Sequence, residues 1–156
     1  MRKQTSNIKL NYYYNAKGKG TKYGYAGEWY NGGDFAELIR KAQLGLTPTI
    51  DRELKFNEGS DIAEYSESVK SSRASLTDVV LGSDFETIIK RFFKEVASKR
   101  FAWVTWDSDV VTTYIMSPTE FEEFARNFAN YEPSGQRIRF RPTTRKMVRW
   151  LEERAI

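Results

Sequence analysis

Gly59-Ser60-Asp61-Ile62-Ala63-Glu64-Tyr65-Ser66-Glu67-Ser68-Val69-Lys70-Ser71-Ser72 is the stretch around which the chain is organised. It opens on a glycine-containing bend with an acid, Asp61, runs into an extended segment and closes on hydroxyl-bearing turn residues. Residues two apart in an extended segment share a face, so Ser68 and Lys70 project together and Glu67 points the other way. Metal-assisted phosphodiester hydrolysis needs carboxylates from adjacent strands meeting at one point. It also needs a lysine to orient water and offset phosphate charge. The stretch is therefore read as the hairpin of a metal-dependent nuclease site, with Asp61 and Lys70 in one pocket. The competing reading makes Asp61 a turn acid, Lys70 a surface lysine and Ser71-Ser72 a strand terminus.

Outward from this hairpin, Arg52–Phe56 reads as the strand before it, joined through Asn57-Glu58-Gly59-Ser60, and Ala74–Leu81 as a third strand after it. Upstream, Asp34 reads as the N-cap of a helix with Phe35, Leu38, Ile39 and Ala42 inward, stopped by Gly45. Downstream, Ser83 or Asp84 caps an amphipathic helix to Lys99, with Phe85, Ile88, Ile89, Phe92, Phe93 and Val96 inward. Phe101–Trp106 and Val110–Met116 form a hairpin across Asp107-Ser108-Asp109, whose two acids are turn residues. Ser117-Pro118-Thr119-Glu120 has the form of a capping box opening a helix through Phe128. Arg137-Ile138-Arg139-Phe140-Arg141 alternates as a strand, and Thr143 or Thr144 starts a last helix. The expected fold is one α/β domain over residues 1–156 with a mixed, partly antiparallel sheet flanked by helices.

Asp61, then Ser68 seven residues on, then Val69-Lys70, resembles the D…ExK signature of the PD-(D/E)XK nuclease superfamily. The short gap is similar to that of the mismatch-repair nicking endonuclease and its restriction-enzyme relatives. The element order from residue 33 to about 106 also resembles the superfamily's αβββαβ core, the resemblance as a whole covering residues 28–106, and the remaining hairpin and C-terminal helices would be additions. The resemblance implies Mg²⁺ held by Asp61, water oriented by Lys70, and a further glutamate on or before the first helix, for which Glu28 is the candidate. Ser68 stands where the family has the glutamate of ExK. Three outcomes follow: Glu67 or Glu64 swings in to replace it, Glu67 needing a bulge to do so; Ser68 holds the metal through water; or the site is inactive and the fold serves binding alone.

The charge pattern gives the partner. Residues 1–27 hold six basic groups and no acid, residues 135–151 hold six more and no acid, and residues 28–134 carry a net charge of −7 within an overall +4. Basic ends suit a phosphate backbone, because Lys and Arg release its condensed counterions. The Tyr-, Lys- and Gly-rich N-terminal region supplies Lys17, Lys19 and Lys22 on a loop, beside Asn11–Asn15 read as a strand whose tyrosines either pack or stack on unpaired bases. Ser71, Ser72 and Arg73 add donors suited to phosphate. Arg137, Arg139 and Arg141 share a strand face, and Arg145, Lys146 and Arg149 extend the patch. These arginines either track a nucleic-acid backbone or pair with Glu120, Glu122 and Glu123.

The chain has neither cysteine nor histidine. Disulfide scaffolds, Cys/His zinc sites and Cys- or His-based catalysis are excluded, and any metal must be hard and oxygen-bound. No leader or membrane span is legible, and a cytoplasmic location is expected. The expected function is a Mg²⁺-dependent DNA endonuclease, working alone or as a homodimer. The alternatives are a non-catalytic DNA- or RNA-binding protein on the same scaffold, or a phage- or plasmid-type interaction or inhibitor module.

Overall fold

A computed structural model describes residues 1–15, 22–50, 60–76 and 84–156. In chain order the elements are β1 (Arg2–Asn7), β2 (Tyr13–Tyr14), β3 (Tyr23–Tyr25), β4 (Glu28–Tyr30), α1 (Gly32–Gln43), β5 (Glu67–Lys70), α2 (Phe85–Glu95), β6 (Arg100–Asp107), β7 (Val110–Met116), α3 (Pro118–Phe128), β8 (Ala129–Glu132), β9 (Arg137–Phe140) and α4 (Arg145–Arg154). The main sheet runs β1-β7-β6-β5, with β5 parallel to β6 and the other pairs antiparallel. This is an α/β domain with a mixed sheet and, among the described residues, four helices.

The sheet is covered on both faces because β6 is apolar on both. Phe101 and Trp103 face one side, opposite Met116 and Tyr114 of β7. They pack with Ile88 and Ile89 of α2, Phe121 and Phe124 of α3, and Met147 and Leu151 of α4. Ala102 and Val104 face the other side, where Phe35, Ala36 and Ile39 of α1 meet Leu10 and Val111. Burying a large apolar side chain contributes roughly 1.5–3 kcal/mol, so these two clusters hold the layers together. Around them, tyrosines from β2 and β3 lean on α1: Tyr23 stacks on Phe35 at 4.6 Å and meets Trp106 edge-on at 5.5 Å.

Local signals place the helix ends. Ser117 Oγ accepts from the Glu120 N–H, and Glu120 Oε1 accepts from the Ser117 N–H, completing the capping box. Ser117→Ala is expected to cost about 1 kcal/mol, read as a drop of roughly 2–4 °C in the melting midpoint followed by circular dichroism. Asp84 caps α2 through the Thr87 N–H. That helix ends at Glu95, short of the expected Lys99, because Val96 is already extended. The Lys99 N–H then donates to the Ser66 carbonyl at 2.8 Å, which steers the chain into register beside β5.

Three expectations are corrected. The cap of α1 is Asn31, whose Oδ1 accepts from the Asp34 N–H at 2.8 Å, so Asp34 lies inside the first turn. The strand expected over Asn11–Asn15 is reduced to Tyr13–Tyr14. β1, a polar segment, was not expected as a strand, and it lines the outer edge of β7. The strand read over Arg52–Phe56 lies outside the described residues. Of Ala74–Leu81 only 74–76 is described, and Ser75 there makes an isolated bridge to Arg139 of β9. No helix among the described residues is long and apolar enough to cross a membrane.

Candidate functional site

The hairpin at Asp61 is short and tightly tied. Ile62 and Glu67 exchange both backbone hydrogen bonds across a one-turn 3₁₀ segment, Ala63–Tyr65, and Ser66 takes a left-handed conformation to close it. A regular ladder would next pair Ser60 with Val69. Instead the Asp61 carboxylate takes the place of a carbonyl, its Oδ2 accepting from the Val69 N–H at 2.8 Å. Among the described residues β5 is the last strand of its sheet, and this carboxylate caps its edge.

A recess of about 220 Å³ opens at that edge. Asp61 and Lys70 both line it, together with Asp34 and Glu37 from α1 and with Ser71. Asp34 and Glu37 are three apart on one helical face and both are buried. Glu37 is ion-paired with Lys41 at 3.5 Å. Lys70 borders the recess, but strand alternation turns its side chain to the opposite, α2 face of the sheet from Asp34 and Glu37. There its ammonium lies 6.0 Å from the centre of the Phe92 ring, so the structure does not bring Lys70 into the group of acids. Ser68, its neighbour on the same strand face, is nearly buried. The sequence did not flag Asp34 and Glu37 as site residues. The i, i+3 spacing of the two acids was the available signal.

Two acids assigned to the metal site lie elsewhere. Glu67 is fully buried and bonded to two guanidiniums. Arg40 donates through Nε to Oε2 at 2.9 Å and through Nη2 to Oε1 at 3.0 Å, and Arg100 donates through Nε to Oε1 at 2.9 Å. Strand alternation turns Glu67 toward α1, and no bulge brings it back. With both oxygens engaged it is not a metal ligand. Glu28 lies on exposed β4, accepts from the Tyr30 hydroxyl at 2.8 Å and borders a different cavity with Tyr13 and Trp29. It takes no part in the Asp61 recess. Glu64 is exposed on the 3₁₀ turn.

A larger groove, about 600 Å³, adjoins the recess, and Gly33 and Ser71 line both. It is lined by the rings of Tyr14, Tyr23 and Trp106, by Lys22, Arg73 and Arg139, and by Ser72 and Thr143. Arg73 sits at φ +66°, a left-handed backbone conformation that non-glycine residues rarely hold without outside support. Here the support comes from β9: Arg139 Nε donates to the Arg73 carbonyl at 3.0 Å, and Ser72 Oγ accepts from the Thr143 N–H at 3.0 Å. Burial pushes the Tyr23 hydroxyl above its ordinary range, the neighbouring Tyr14 and Tyr12 add to this, and Trp106 and Arg73 oppose it. Arg73 and Arg139 also line a third cavity, of about 480 Å³, with Arg141 and Tyr131. The groove therefore shares Gly33 and Ser71 with the recess and Arg73 and Arg139 with the third cavity.

The other expected nucleic-acid contacts are dispersed. Arg137 is paired with Glu132 at 2.8 Å. Arg145, Lys146 and Arg149 are exposed on α4 and line neither the groove nor the recess. Two of the three acids weighed as partners for the basic strand are engaged otherwise, Glu120 in its capping box and Glu122 with Arg126. Lys17 and Lys19 lie outside the described residues. No family model, curated protein or solved structure matches this chain.

As to a metal, the donors of the recess are carboxylates, the type that a hard cation takes, and Mg²⁺ commonly keeps several waters while binding one or two carboxylates. Asp61 with Asp34 or Glu37 fits that requirement. No group of three acidic residues among the described residues is arranged as a preformed metal cage.

Proposed function

We propose that this protein is a nucleic-acid-binding phosphodiesterase, a Mg²⁺-dependent DNA endonuclease of the PD-(D/E)XK kind with a reduced ligand set. The observation that carries the reading is the adjoining of two unlike sites. An acidic recess lined by Asp61, Asp34 and Glu37 shares Gly33 and Ser71 with a groove lined by Lys22, Arg73 and Arg139. Phosphate lies naturally along the cationic wall, and the recess then meets the backbone at its edge.

In this reading Asp61, with Asp34 or Glu37, would hold Mg²⁺, which would supply charge stabilisation for phosphoryl oxygens. Lys70 would serve to orient the attacking water and offset negative charge on phosphate only after its side chain turns from Phe92 around the edge of β5. The Asp61 bond to the Val69 N–H fixes the carboxylate against the strand that carries Lys70. Arg73 and Arg139 position the backbone without reading sequence.

The test is conversion of supercoiled plasmid to nicked or linear DNA in Mg²⁺, with EDTA as control. Mg²⁺-dependent conversion that tracks the purified protein is the expected result. A second reading, binding without cleavage on the same scaffold, is favoured by Ser68 in place of glutamate and by the absence of a three-acid cage among the described residues. That reading expects salt-sensitive binding, indifferent to EDTA, and intact plasmid. Absence of binding even at low salt contradicts both and leaves a protein-interaction module.

A further inference from the structure

We infer that the groove takes a single strand of nucleic acid, with one unpaired base against Tyr14 and its flanking phosphates on Lys22, Arg73 and Arg139. The inference rests on the nucleic-acid reading above and deepens it by naming the form of the substrate. At about 600 Å³ the groove falls within the roughly 300–1,000 Å³ of sites that enclose a small ligand. Its aromatic wall has an available ring: Tyr14 is 58% exposed and rests on Tyr23 at 5.3 Å. Tyr23 is in turn fixed by its stack on Phe35. A base inside a duplex already has both faces stacked, so only an unpaired base offers a π-face to such a ring.

The cationic wall supplies the second, independent half. Arg40, Arg100, Arg126 and Arg137 each meet a carboxylate. Lys22, Arg73 and Arg139 meet none among the described residues, and all three line the groove together with the aromatic rings. Cations left without acids beside an exposed ring make a phosphate-and-base site. Two further cavities border the groove, one sharing Arg73 and Arg139 and the other Gly33 and Ser71, and this extended surface suits a strand rather than a free nucleotide.

The experiment is fluorescence anisotropy with labelled oligonucleotides of about a dozen nucleotides, a length that covers usual single-strand site sizes. Deoxy and ribo single strands and a duplex of matched sequence are compared in EDTA, so that cleavage plays no part. Single strands are expected to bind at least ~10-fold more tightly than duplex, with Tyr14→Ala removing about 10-fold and Tyr14→Phe keeping most of the affinity, as stacking requires. Arg73→Ala and Arg139→Ala are each expected to make the slope of log affinity against log salt shallower by roughly 0.7. Preference between the deoxy and ribo strands assigns the natural ligand, and either preference supports the inference. Equal or tighter binding of duplex, or unchanged binding in a folded Tyr14→Ala protein, overturns it. Plasmid cleavage without single-strand preference overturns this inference alone, and single-strand binding without cleavage overturns only the catalytic reading.

Discussion

Asp61→Asn is expected to abolish Mg²⁺-dependent plasmid cleavage, lowering the rate by about 10²–10³-fold, the usual loss when one preorganised electrostatic group is removed from a catalytic site. Asparagine is chosen because its carbonyl oxygen still accepts the Val69 N–H that Asp61 Oδ2 now accepts. The edge of β5 therefore stays capped while the charge disappears. Lys70→Ala is expected to produce a loss of similar size without weakening DNA binding by more than about twofold, because one cation of a multi-contact backbone site contributes modestly. The two variants separate catalysis from architecture. If Asp61→Asn cleaves like the parent protein, the acid is only an edge cap. A loss of melting temperature in Asp61→Ala that Asp61→Asn does not share measures the capping role by itself.

The largest stability effect falls on Glu67. Its carboxylate lies at 0% exposure between Arg40, also at 0%, and the half-buried Arg100. Arg40 further donates through Nη1 to Gln4 at 2.7 Å and Gln43 at 2.8 Å, so this one guanidinium joins β1, α1 and β5. Removing the acid leaves a buried cation uncompensated, and Glu67→Ala is expected to destabilise the protein by about 3–5 kcal/mol. Glu67→Gln keeps an acceptor for part of the network and is expected to lose less. Urea unfolding of the parent and both variants decides the matter. A loss below about 1 kcal/mol for Glu67→Ala, the range typical of exposed ion pairs, would contradict the burial of the network. Because Glu67 precedes Ser68 and Lys70 on the same strand, a destabilised Glu67→Ala protein is also expected to lose whatever cleavage the parent shows.

Much of the fold was legible because its signals are local. The capping box at Ser117, the cap at Asp84, the hairpin across Ser108 and the alternation of Arg137–Phe140 each depend on residues within one or two turns of each other. β1 escaped notice because Arg2–Asn7 carries no apolar residue. It is a strand because β7 offers it an open edge, and the paired residues lie more than a hundred positions away in the sequence. The start of α1 was misplaced by three residues because Asn31 and Asp34 are both good cap formers, and only geometry shows which side chain turns back.

The site was less legible for the same reason. Alternation along Glu67–Lys70 correctly turned Glu67 away from Ser68 and Lys70. It was silent on Arg40, 27 residues upstream, which occupies the acid that the D…ExK resemblance offered as a ligand. Asp34 and Glu37 reach the Asp61 recess only because α1 packs on β5. The basic clusters were visible as composition, but the sequence had no means of choosing among them. Packing selected Lys22, Arg73 and Arg139 for the groove, left Arg145, Lys146 and Arg149 on an outer helix, and paired Arg137 with Glu132.

The most direct measurement is an anomalous-difference map from crystals of the protein soaked in Mn²⁺, a hard cation that takes the same oxygen ligands as Mg²⁺. The account predicts a peak in the recess, bonded to the Asp61 carboxylate and to Asp34 or Glu37 directly or through water. A recess with no peak at Mn²⁺ concentrations well above those that support catalysis, and an unmoved Asp61 bonded only to the Val69 N–H, would contradict it.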